Sequence, residues 1–422
     1  MSMPIQELID RKIVHDVTDP ALLEALPAGT RFYWGIDPTA PALHLGNLVP
    51  FMLLVRLARA GLRPVILFGG ATAAIGDPSG RSAERPLLDR SAIDANIAQM
   101  SVQVRTMLDR CGLTDVEFVN NATWTDSLSA IDLLRDIGKH LTVNYMLGKD
   151  SVKSRLGGEG LSFTEFSYMV LQAFDFWHLS ATSEVQLQIG GADQWGNITS
   201  GLELIRKKSP GTHAHAMTVP LLLDAQGRKF GKSTGGGSLW LDSALASPFK
   251  IHQHLLNTSD EDAIRYLGIF CLWESDRLAA ILETHRASPE QRAAQNALAD
   301  EIVRIVHGSD AVAEARRSAS VLFGGSLAGI SESALREIFS DVPSSTLSRD
   351  QLAAMTVVDL FVTTGLAPSK GEARRLIQSG GAYVQNERIE DSAVVPFAGG
   401  EIPNFVVLRA GKKRYYVVEV AC

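Results

Sequence analysis

Short apolar runs alternate with longer helical stretches in the first half of this chain, and that alternation constrains the fold more than any other feature. The strand-like runs cover residues 31–36, 64–69 and 184–189, and residues 48–60 predict a helix after the first of them. Strands separated by helical crossovers pair in parallel, so we expect an α/β domain with a Rossmann-like parallel sheet. Ligands of such sheets bind beyond the carboxyl ends of the strands.

The segment from Asp37 to Asn47 follows the first strand and places His44 and Gly46 where the next helix begins. Unpaired backbone N–H groups and the positive end of the helix dipole attract an anion there. His44 can donate to a phosphate oxygen, and Gly46 lets a flat ring approach the backbone because it has no Cβ. A capping histidine beside a turn glycine explains the same residues, so a second element is needed.

Two lysines, Lys229 and Lys232, flank Gly231 in a glycine-rich stretch. Such a loop could close over a triphosphate and stabilise the charge of departing pyrophosphate, although a solvated surface loop has the same composition. A P-loop is excluded because three residues, rather than the required four, separate Gly227 from Gly231. No Gly-x-Gly-x-x-Gly occurs near residues 69–70, which does not support a dinucleotide fold of the oxidoreductase type.

A polar stripe follows a helix start. The Ser-Phe-Thr-Glu sequence at 162–165 is a capping box and predicts a helix over about residues 163–176. Tyr168, Gln172 and Asp175 fall at i, i+4 and i+7 on one face of that mostly apolar helix. Buried polar groups need partners, and the stripe either joins neighbouring helices or binds a polar ligand.

Composition limits the class of protein. The net charge of −7 argues against indiscriminate binding of nucleic acid, and no apolar run of about 18 residues predicts a membrane helix. Three cysteines without a Cys-x-x-Cys pattern indicate a reducing compartment and no structural zinc. Two His-x-His pairs, at 213 and 215 and at 252 and 254, lack an evident third ligand, so we assign them no metal.

Polar segments rich in proline, glycine and serine divide the chain into four parts. They are an α/β domain over residues 1–246, a helical domain over 247–340, a linker over 341–354 and a small α+β domain over 355–422. The last segment carries eight Lys and Arg against seven Asp and Glu, whereas the whole chain has 40 against 47. A basic helix from about residue 370 and a strand over 382–389 are predicted within it. A basic helix and strand are more often a solvated surface than an RNA site.

The His-x-Gly-Asn motif at 44–47 and the Lys-x-Gly-Lys-Ser motif at 229–233 together resemble the two motifs of class I aminoacyl-tRNA synthetases. The chain resembles the bacterial tyrosyl-tRNA synthetase family more closely. The tail is similar to the small RNA-binding domain named after a ribosomal small-subunit protein. The matching stretches are YWGIDPTAPALHLGN, FGGATAAIGDPSGRSAER, LSFTEFSYMVLQAFDF, QIGGADQWGNITSGLELIRK and KFGKS.

The resemblance implies roles for individual residues. Tyrosine would be bound by Tyr33, Thr72, Asp77, Asn121, Tyr168, Gln172, Asp175 and Gln194. ATP would be bound by Gly35, Asp37, Gly46, Asn47, Gly191, Asp193 and Lys232. The groups that stabilise the reacting phosphates would be Thr39, His44, Arg81, Arg85, Lys229 and Lys232. RNA would be bound by Lys370, Arg374, Arg375, Lys412, Lys413 and Arg414.

The implied reaction joins tyrosine to ATP as tyrosyl-adenylate and then transfers tyrosine to tRNA(Tyr). It needs no protein nucleophile, and Mg²⁺ is expected to arrive with ATP instead of occupying a dedicated protein site. The family resemblance further implies a cytoplasmic homodimer.

Three residues depart from the familiar pattern. Asn47 replaces a histidine, Trp34 is larger than usual and could crowd the ribose, and Pro50 is expected to bend the motif helix.

Two other classes stay open. A nucleotidyltransferase can share the His-x-Gly motif, but it would need neither the polar stripe nor the tail. An RNA-binding protein without activity would have lost a motif lysine, a histidine or a pocket carboxylate. Tryptophanyl enzymes are the nearest relatives by chemistry, and the pairing of Tyr33 with Asp175 together with the tail separates this chain from them.

Overall fold

A computed structural model describes residues 5–21, 25–79, 87–156, 160–223, 227, 230, 238–398 and 402–421. The chain forms two compact units. Unit one comprises Met1–Ser247 and His254–Gly308, and unit two comprises Pro248–Gln253 and Ser309–Cys422. No helix within these described ranges is long and apolar enough to cross a membrane.

Unit one is built on a five-stranded sheet whose spatial order is β3-β2-β1-β4-β5. Every neighbouring pair of these strands is parallel, which confirms the predicted α/β class. The first strand has the bounds that the sequence predicted. The strands are β1 (Arg31–Ile36), β2 (Arg63–Phe68), β3 (Glu117–Asn120), β4 (Val185–Gly191) and β5 (His215–Val219).

Helices connect these strands and continue beyond them. The helices before residue 210 are α1 (Ile5–Asp10), α2 (Leu48–Arg59), α3 (Arg90–Arg110), α4 (Ala122–Thr125), α5 (Ala130–Asp132), α6 (Val143–Leu147), α7 (Asp150–Leu156), α8 (Phe163–Ser183) and α9 (Trp195–Lys208). Those that follow are α10 (Pro248–Leu256), which the unit boundary divides, α11 (Asp260–Phe270), α12 (Ser275–Ala287) and α13 (Ala293–His307).

Helix α8 is positioned by its predicted capping box and by its apolar face. The Ser162 side chain accepts from the Glu165 N–H, and Glu165 also forms a buried ion pair with Arg155 at 2.9 Å. Phe176 and Leu179 pack with Tyr33, Val65 and other buried side chains of β1, β2 and β4. Burying such side chains contributes about 1.5–3 kcal/mol each, so the polar stripe of α8 is held against the sheet.

Pro50 does not interrupt its helix. Helix α2 is continuous over Leu48–Arg59, and Pro50 is its third residue. The N–H groups of the first turn have no intrahelical acceptor, so a proline costs no hydrogen bond there.

Unit two contains a second five-stranded sheet of order β6-β10-β9-β7-β8. Its strands are β6 (Ser344–Ser348), β7 (Ala382–Val384), β8 (Glu387–Arg388), β9 (Phe405–Ala410) and β10 (Arg414–Ala421). Its helices are α14 (Ser309–Val321), α15 (Glu332–Ile338), α16 (Arg349–Ala354), α17 (Val357–Thr363) and α18 (Lys370–Gln378).

The predicted linker over 341–354 is wrong. Residues 344–348 form β6, which pairs in parallel with β10, and a second capping box at Ser348 and Gln351 starts α16. The polar composition of β6 does not indicate a strand, because the strand is stabilised by pairing with the distant β10.

The boundaries predicted for the helical domain also need correction. Residues 254–308 belong to unit one, whereas residues 309–340 belong to unit two. Val321 and Phe339 share a hydrophobic cluster with Phe405 and Val407 of β9. That burial, which local sequence does not show, joins α14 and α15 to the C-terminal sheet.

The strand predicted over 382–389 is a hairpin of two short strands. Gln385 and Asn386 lie between them with φ of 54° and 61°, the left-handed values of a tight hairpin turn.

Candidate active site

A cavity of about 610 Å³ lies in unit one, next to the carboxyl ends of β1, β2 and β4. Ligands of parallel sheets bind at this edge of the sheet. The predicted site residues that line it are Tyr33, Gly35, Asp37, Thr39, His44, Gly46, Asn47, Thr72, Asp77, Tyr168, Gln172, Asp175, Gly191, Asp193 and Gln194. Arg81, Arg85, Lys229 and Lys232 lie outside the described residues.

The histidine motif forms a short capped turn. His44 is the N-cap of a 3₁₀ helix over Leu45–Asn47, and its Nδ1 accepts from the Gly46 N–H at 3.1 Å. A neutral imidazole that accepts at Nδ1 carries its proton on Nε2, so the ring presents a donor there. The Asn47 Oδ1 accepts from the His44 N–H at 3.0 Å, which leaves the Nδ2 group as the amide's donor.

Two backbone hydrogen bonds join this turn to the segment that follows the two-lysine motif at 229–232. The Leu45 N–H donates to the Leu239 carbonyl and the Leu241 N–H donates to the Leu43 carbonyl, both at 2.8 Å. Trp240 lies between these bonds, and its ring centroid is 6.3 Å from that of His44. Residues 239–241, on the carboxyl side of the two-lysine motif, are therefore held beside His44.

One part of the cavity can both donate to and accept from a hydroxyl. Tyr33 is fully buried, and its hydroxyl has no hydrogen-bond partner among the described residues. The Asp175 Oδ1 accepts from Trp124 Nε1 at 2.8 Å, and its Oδ2 accepts from Asn121 Nδ2 at 2.9 Å. Burial raises the pKa of Asp175 to about 7 and raises the pKa of Tyr33, an effect that the nearby Asp175 charge reinforces.

Asn121 does not line the cavity, unlike the other predicted tyrosine-binding residues. It is fully buried, and it contacts Asp175 instead of an open surface. Its assignment as a direct ligand is corrected to a supporting contact behind the carboxylate, because both of its amide atoms are engaged within the protein.

Asp37 receives two side-chain donors at the end of β1. The Tyr168 hydroxyl donates to Oδ2 and the Thr72 hydroxyl donates to Oδ1, each at 2.7 Å. Burial, then the charges of Asp37 and Asp77, raise the pKa of Tyr168, so its hydroxyl stays protonated as a donor.

Asp77 is held in a separate polar group. Gln194 Nε2 donates to its Oδ2 at 2.6 Å and the Ser79 N–H donates to its Oδ1 at 2.9 Å. Asn197 Nδ2 lies 3.5 Å from the same Oδ1. Gln172 faces the cavity, and its Oε1 has no partner in the described part of the chain.

Sequence reasoning missed four residues of this site, namely Trp124, Gln188, Asn197 and Trp240. Gln188 lines the cavity, is buried, and has an Oε1 without a partner within the described ranges. A polar side chain inside an apolar strand was the signal that could have revealed it. The other three owe their contacts to the tertiary fold.

The described residues contain no group of three or more His, Cys, Asp and Glu side chains that could hold a metal ion. His215, from one of the His-x-His pairs, is a buried β5 residue whose pKa is lowered by burial.

The six basic residues predicted to bind RNA are all exposed in unit two. Lys370 forms an ion pair with Asp359 at 2.7 Å, and Arg375 forms one with Glu372 at 2.6 Å. Arg414 donates to the Leu366 carbonyl at 3.0 Å.

Known proteins resemble both units. The model for "tRNA synthetases class I (W and Y)" matches residues 28–324, and the model for "Tyrosine--tRNA ligase SYY-like C-terminal domain" matches residues 334–418. A protein named tyrosine--tRNA ligase from Geobacillus kaustophilus is 43% identical over 99% of both chains. One from Streptococcus equi is 44% identical over 98% of this chain and 99% of the other.

A solved structure agrees with the sequence relatives. The C-terminally truncated mitochondrial tyrosyl-tRNA synthetase of Coccidioides posadasii superposes with a TM-score of 0.64 at 33% identity. The match covers 74% of this chain and 90% of that one.

Proposed function

The chain belongs to the tyrosine–tRNA ligases of the class I aminoacyl-tRNA synthetases, and we propose that its cavity holds tyrosine at one end and ATP at the other. The enzyme activates L-tyrosine with ATP to tyrosyl-adenylate and pyrophosphate, and then transfers tyrosine to tRNA(Tyr). The observation that carries the assignment of residues is the convergence of the predicted side chains on one cavity.

We name the Tyr33 and Asp175 side of the cavity the phenol end. The ionised Asp175 accepts from the hydroxyl of the tyrosine substrate. The Tyr33 hydroxyl donates to the oxygen of that same substrate hydroxyl. This assignment is supported by the Tyr33 hydroxyl, which has no partner in the described structure, and by the two donors that orient Asp175. A buried hydroxyl without a partner is costly, and a ligand hydroxyl removes that cost.

The tyrosine ammonium binds Tyr168, Gln172 and Asp77. Tyr168 already donates to Asp37, so its remaining lone pair can accept from the ammonium. Gln172 offers its Oε1, and Asp77 offers a carboxylate held by Gln194. Gln194 and Asp193 lie next to the tyrosine carboxylate and the ribose.

ATP lies along Gly35, Asp37 and the histidine turn. His44, with its proton on Nε2, and Thr39 donate to the γ-phosphate. Gly46 lets the His44 ring pack against the backbone, because an added Cβ would lie 3.0 Å from His44 Cε1. Arg81, Arg85, Lys229 and Lys232 are proposed to neutralise pyrophosphate, and Mg²⁺ is proposed to arrive with ATP.

The chemical step is an in-line displacement. A tyrosine carboxylate oxygen forms a bond to the α-phosphorus while the bond from that phosphorus to the bridging oxygen breaks, and the electron pair leaves with pyrophosphate. The protein contributes orientation and positive charge where negative charge develops, which are large contributions in a preorganised cavity.

RNA binding is assigned to the six exposed basic residues of unit two, because cations that reach phosphates position RNA without reading its bases. A homodimer is proposed, with an interface in unit one. Large apolar side chains are exposed close together in sequence, with Ile131 67%, Leu134 58%, Val143 60% and Phe163 76% accessible. Contiguous patches of exposed apolar side chains mark protein interfaces, and we propose that these four side chains belong to one such patch. The cytoplasm is the proposed location, where the product is used in protein synthesis.

Pyrophosphate exchange into ATP, measured with each of the twenty amino acids in turn, tests the proposed function. Tyrosine is expected to support exchange by about a hundredfold or more over any other amino acid, because a site that hydrogen-bonds a hydroxyl rejects analogues that lack it. Exchange with tryptophan in preference to tyrosine would contradict the phenol end.

A further inference from the structure

A chain of buried hydrogen bonds runs from the phenol end to the nucleotide side of the cavity. Asn121 Nδ2 donates to Asp175 Oδ2 at 2.9 Å and to Thr72 Oγ1 at 3.1 Å. Thr72 Oγ1 then donates to Asp37 Oδ1 at 2.7 Å. Two carboxylates assigned to different substrates are thus joined through only two side chains.

The direction of each bond is fixed. The Ala71 N–H donates to Asn121 Oδ1 at 2.8 Å, so the Nδ2 group must face Asp175 and Thr72. The Thr72 hydroxyl accepts one of the Nδ2 hydrogens, so its own proton points to Asp37. Asn121, Thr72 and Asp175 are 0%, 3% and 2% exposed, and hydrogen bonds in such a setting polarise one another.

Gly69 packs closely against this series of hydrogen bonds. A Cβ added there would lie 2.0 Å from Asp37 Oδ1 and 2.3 Å from Thr72 Oγ1. The backbone at Gly69 therefore packs directly against the bond between Asp37 and Thr72. Because Asn121 hydrogen-bonds both Asp175 and Thr72, we expect a displacement of Asp175 to move Asn121 and Thr72.

We propose that Asn121 and Thr72 are positioning residues that carry recognition of the tyrosine hydroxyl at Asp175 to Asp37 on the nucleotide side. The hydroxyl then raises the rate of adenylate formation as well as the affinity for tyrosine. This inference rests on the proposed assignments of Asp175 to the phenol and of Asp37 to ATP. It predicts that part of the discrimination against phenylalanine is expressed in the chemical step.

The test compares Thr72→Val with wild type and uses tyrosine and phenylalanine as the two substrates. Valine has nearly the shape of threonine and replaces the hydroxyl by a methyl group, which can neither donate nor accept a hydrogen bond. Single-turnover adenylate formation at saturating amino acid measures the rate, and equilibrium titration measures affinity. The wild-type ratio of the two rates is expected to fall about five- to tenfold in Thr72→Val, the effect of one lost buried hydrogen bond.

Thr72→Ser keeps the hydroxyl and is expected to retain most of the wild-type ratio. Gly69→Ala keeps every polar group but forces Asp37 and Thr72 apart, so it is expected to lower the ratio as Thr72→Val does. A structural defect alone would slow both substrates by the same factor.

Equal slowing of tyrosine and phenylalanine in Thr72→Val, with the wild-type ratio unchanged, would overturn the proposal even though the proposed function stands. A wild-type enzyme that activates both substrates equally well would instead overturn the phenol assignment, and the inference with it.

Discussion

Asp175→Asn replaces the carboxylate of the phenol end by an amide of nearly the same shape. Both carboxylate oxygens accept from side-chain donors, Trp124 Nε1 at 2.8 Å and Asn121 Nδ2 at 2.9 Å. An amide has one oxygen and one NH₂ group. In either orientation its NH₂ group therefore faces one of these two donors and cannot accept from it. The variant therefore loses one of these bonds and also loses the charged acceptor for the phenol.

The magnitude follows from the kind of bond that is lost. A hydrogen bond to a charged group contributes about 1.5–3 kcal/mol, which corresponds to roughly 10- to 150-fold in an equilibrium or rate constant. Phenylalanine has no hydroxyl and does not make this bond. The ratio of kcat/KM for tyrosine to that for phenylalanine is therefore expected to fall by about that factor.

Pyrophosphate exchange with both amino acids measures this ratio, and thermal unfolding separates the cost to the fold from the cost to recognition. Trp124→Phe is the matched control, because it removes one donor but keeps the carboxylate, and we expect it to lower the ratio less. If Asp175→Asn slowed both substrates by one factor, the phenol would have to bind elsewhere.

Because burial raises the pKa of Asp175 to about 7, tyrosine affinity should fall as pH drops below 7 while phenylalanine affinity stays flat, as titration calorimetry across pH 5.5–8.5 would show; equal pH profiles would contradict this. The same shift means that the stability contributed by Asp175, present at low pH, is lost as pH rises through about 7, which thermal unfolding measured against pH would register. Lys232→Ala should slow pre-steady-state adenylate formation about a hundredfold with tyrosine affinity nearly unchanged, and an unaltered rate would remove Lys232 from the reaction. Replacing Arg374, Lys412 and Lys413 by Ala should weaken tRNA binding and flatten its dependence on salt by roughly 0.7–0.9 in slope for each lost phosphate contact, whereas an unchanged slope would place RNA elsewhere.

The sequence predicted those parts of the fold that local pattern determines. The bounds of β1 agree with its apolar run, and the capping box at Ser162 starts α8 where the spacing required. The side chains of the polar stripe face the cavity because the helical period places them on one face of α8.

The parts that sequence did not predict depend on distant partners. The polar β6 is a strand because its backbone pairs with β10, which lies about seventy residues later in the chain. Val321 and Phe339 belong to unit two because β9 covers them. Local composition carries no signal of either contact.

In the site, too, local sequence predicted some residues, whereas others depend on contacts made only in the folded structure. The resemblance named Asn121, but only the fold shows that it lies behind Asp175 and donates to Thr72. Trp124 was missed because an indole after a short strand has no distinguishing pattern, and its role appears only through the bond to Asp175.

We propose that one cavity holds both tyrosine and the nucleotide, with the phenol at Asp175 and Tyr33. The most direct test of this arrangement is a crystal structure of the full chain with a non-hydrolysable analogue of tyrosyl-adenylate. The phenol oxygen should lie about 2.6–3.0 Å from both an Asp175 carboxylate oxygen and the Tyr33 hydroxyl, with the ribose beside Asp193. An analogue bound with its phenol away from both residues would contradict this assignment of the phenol end.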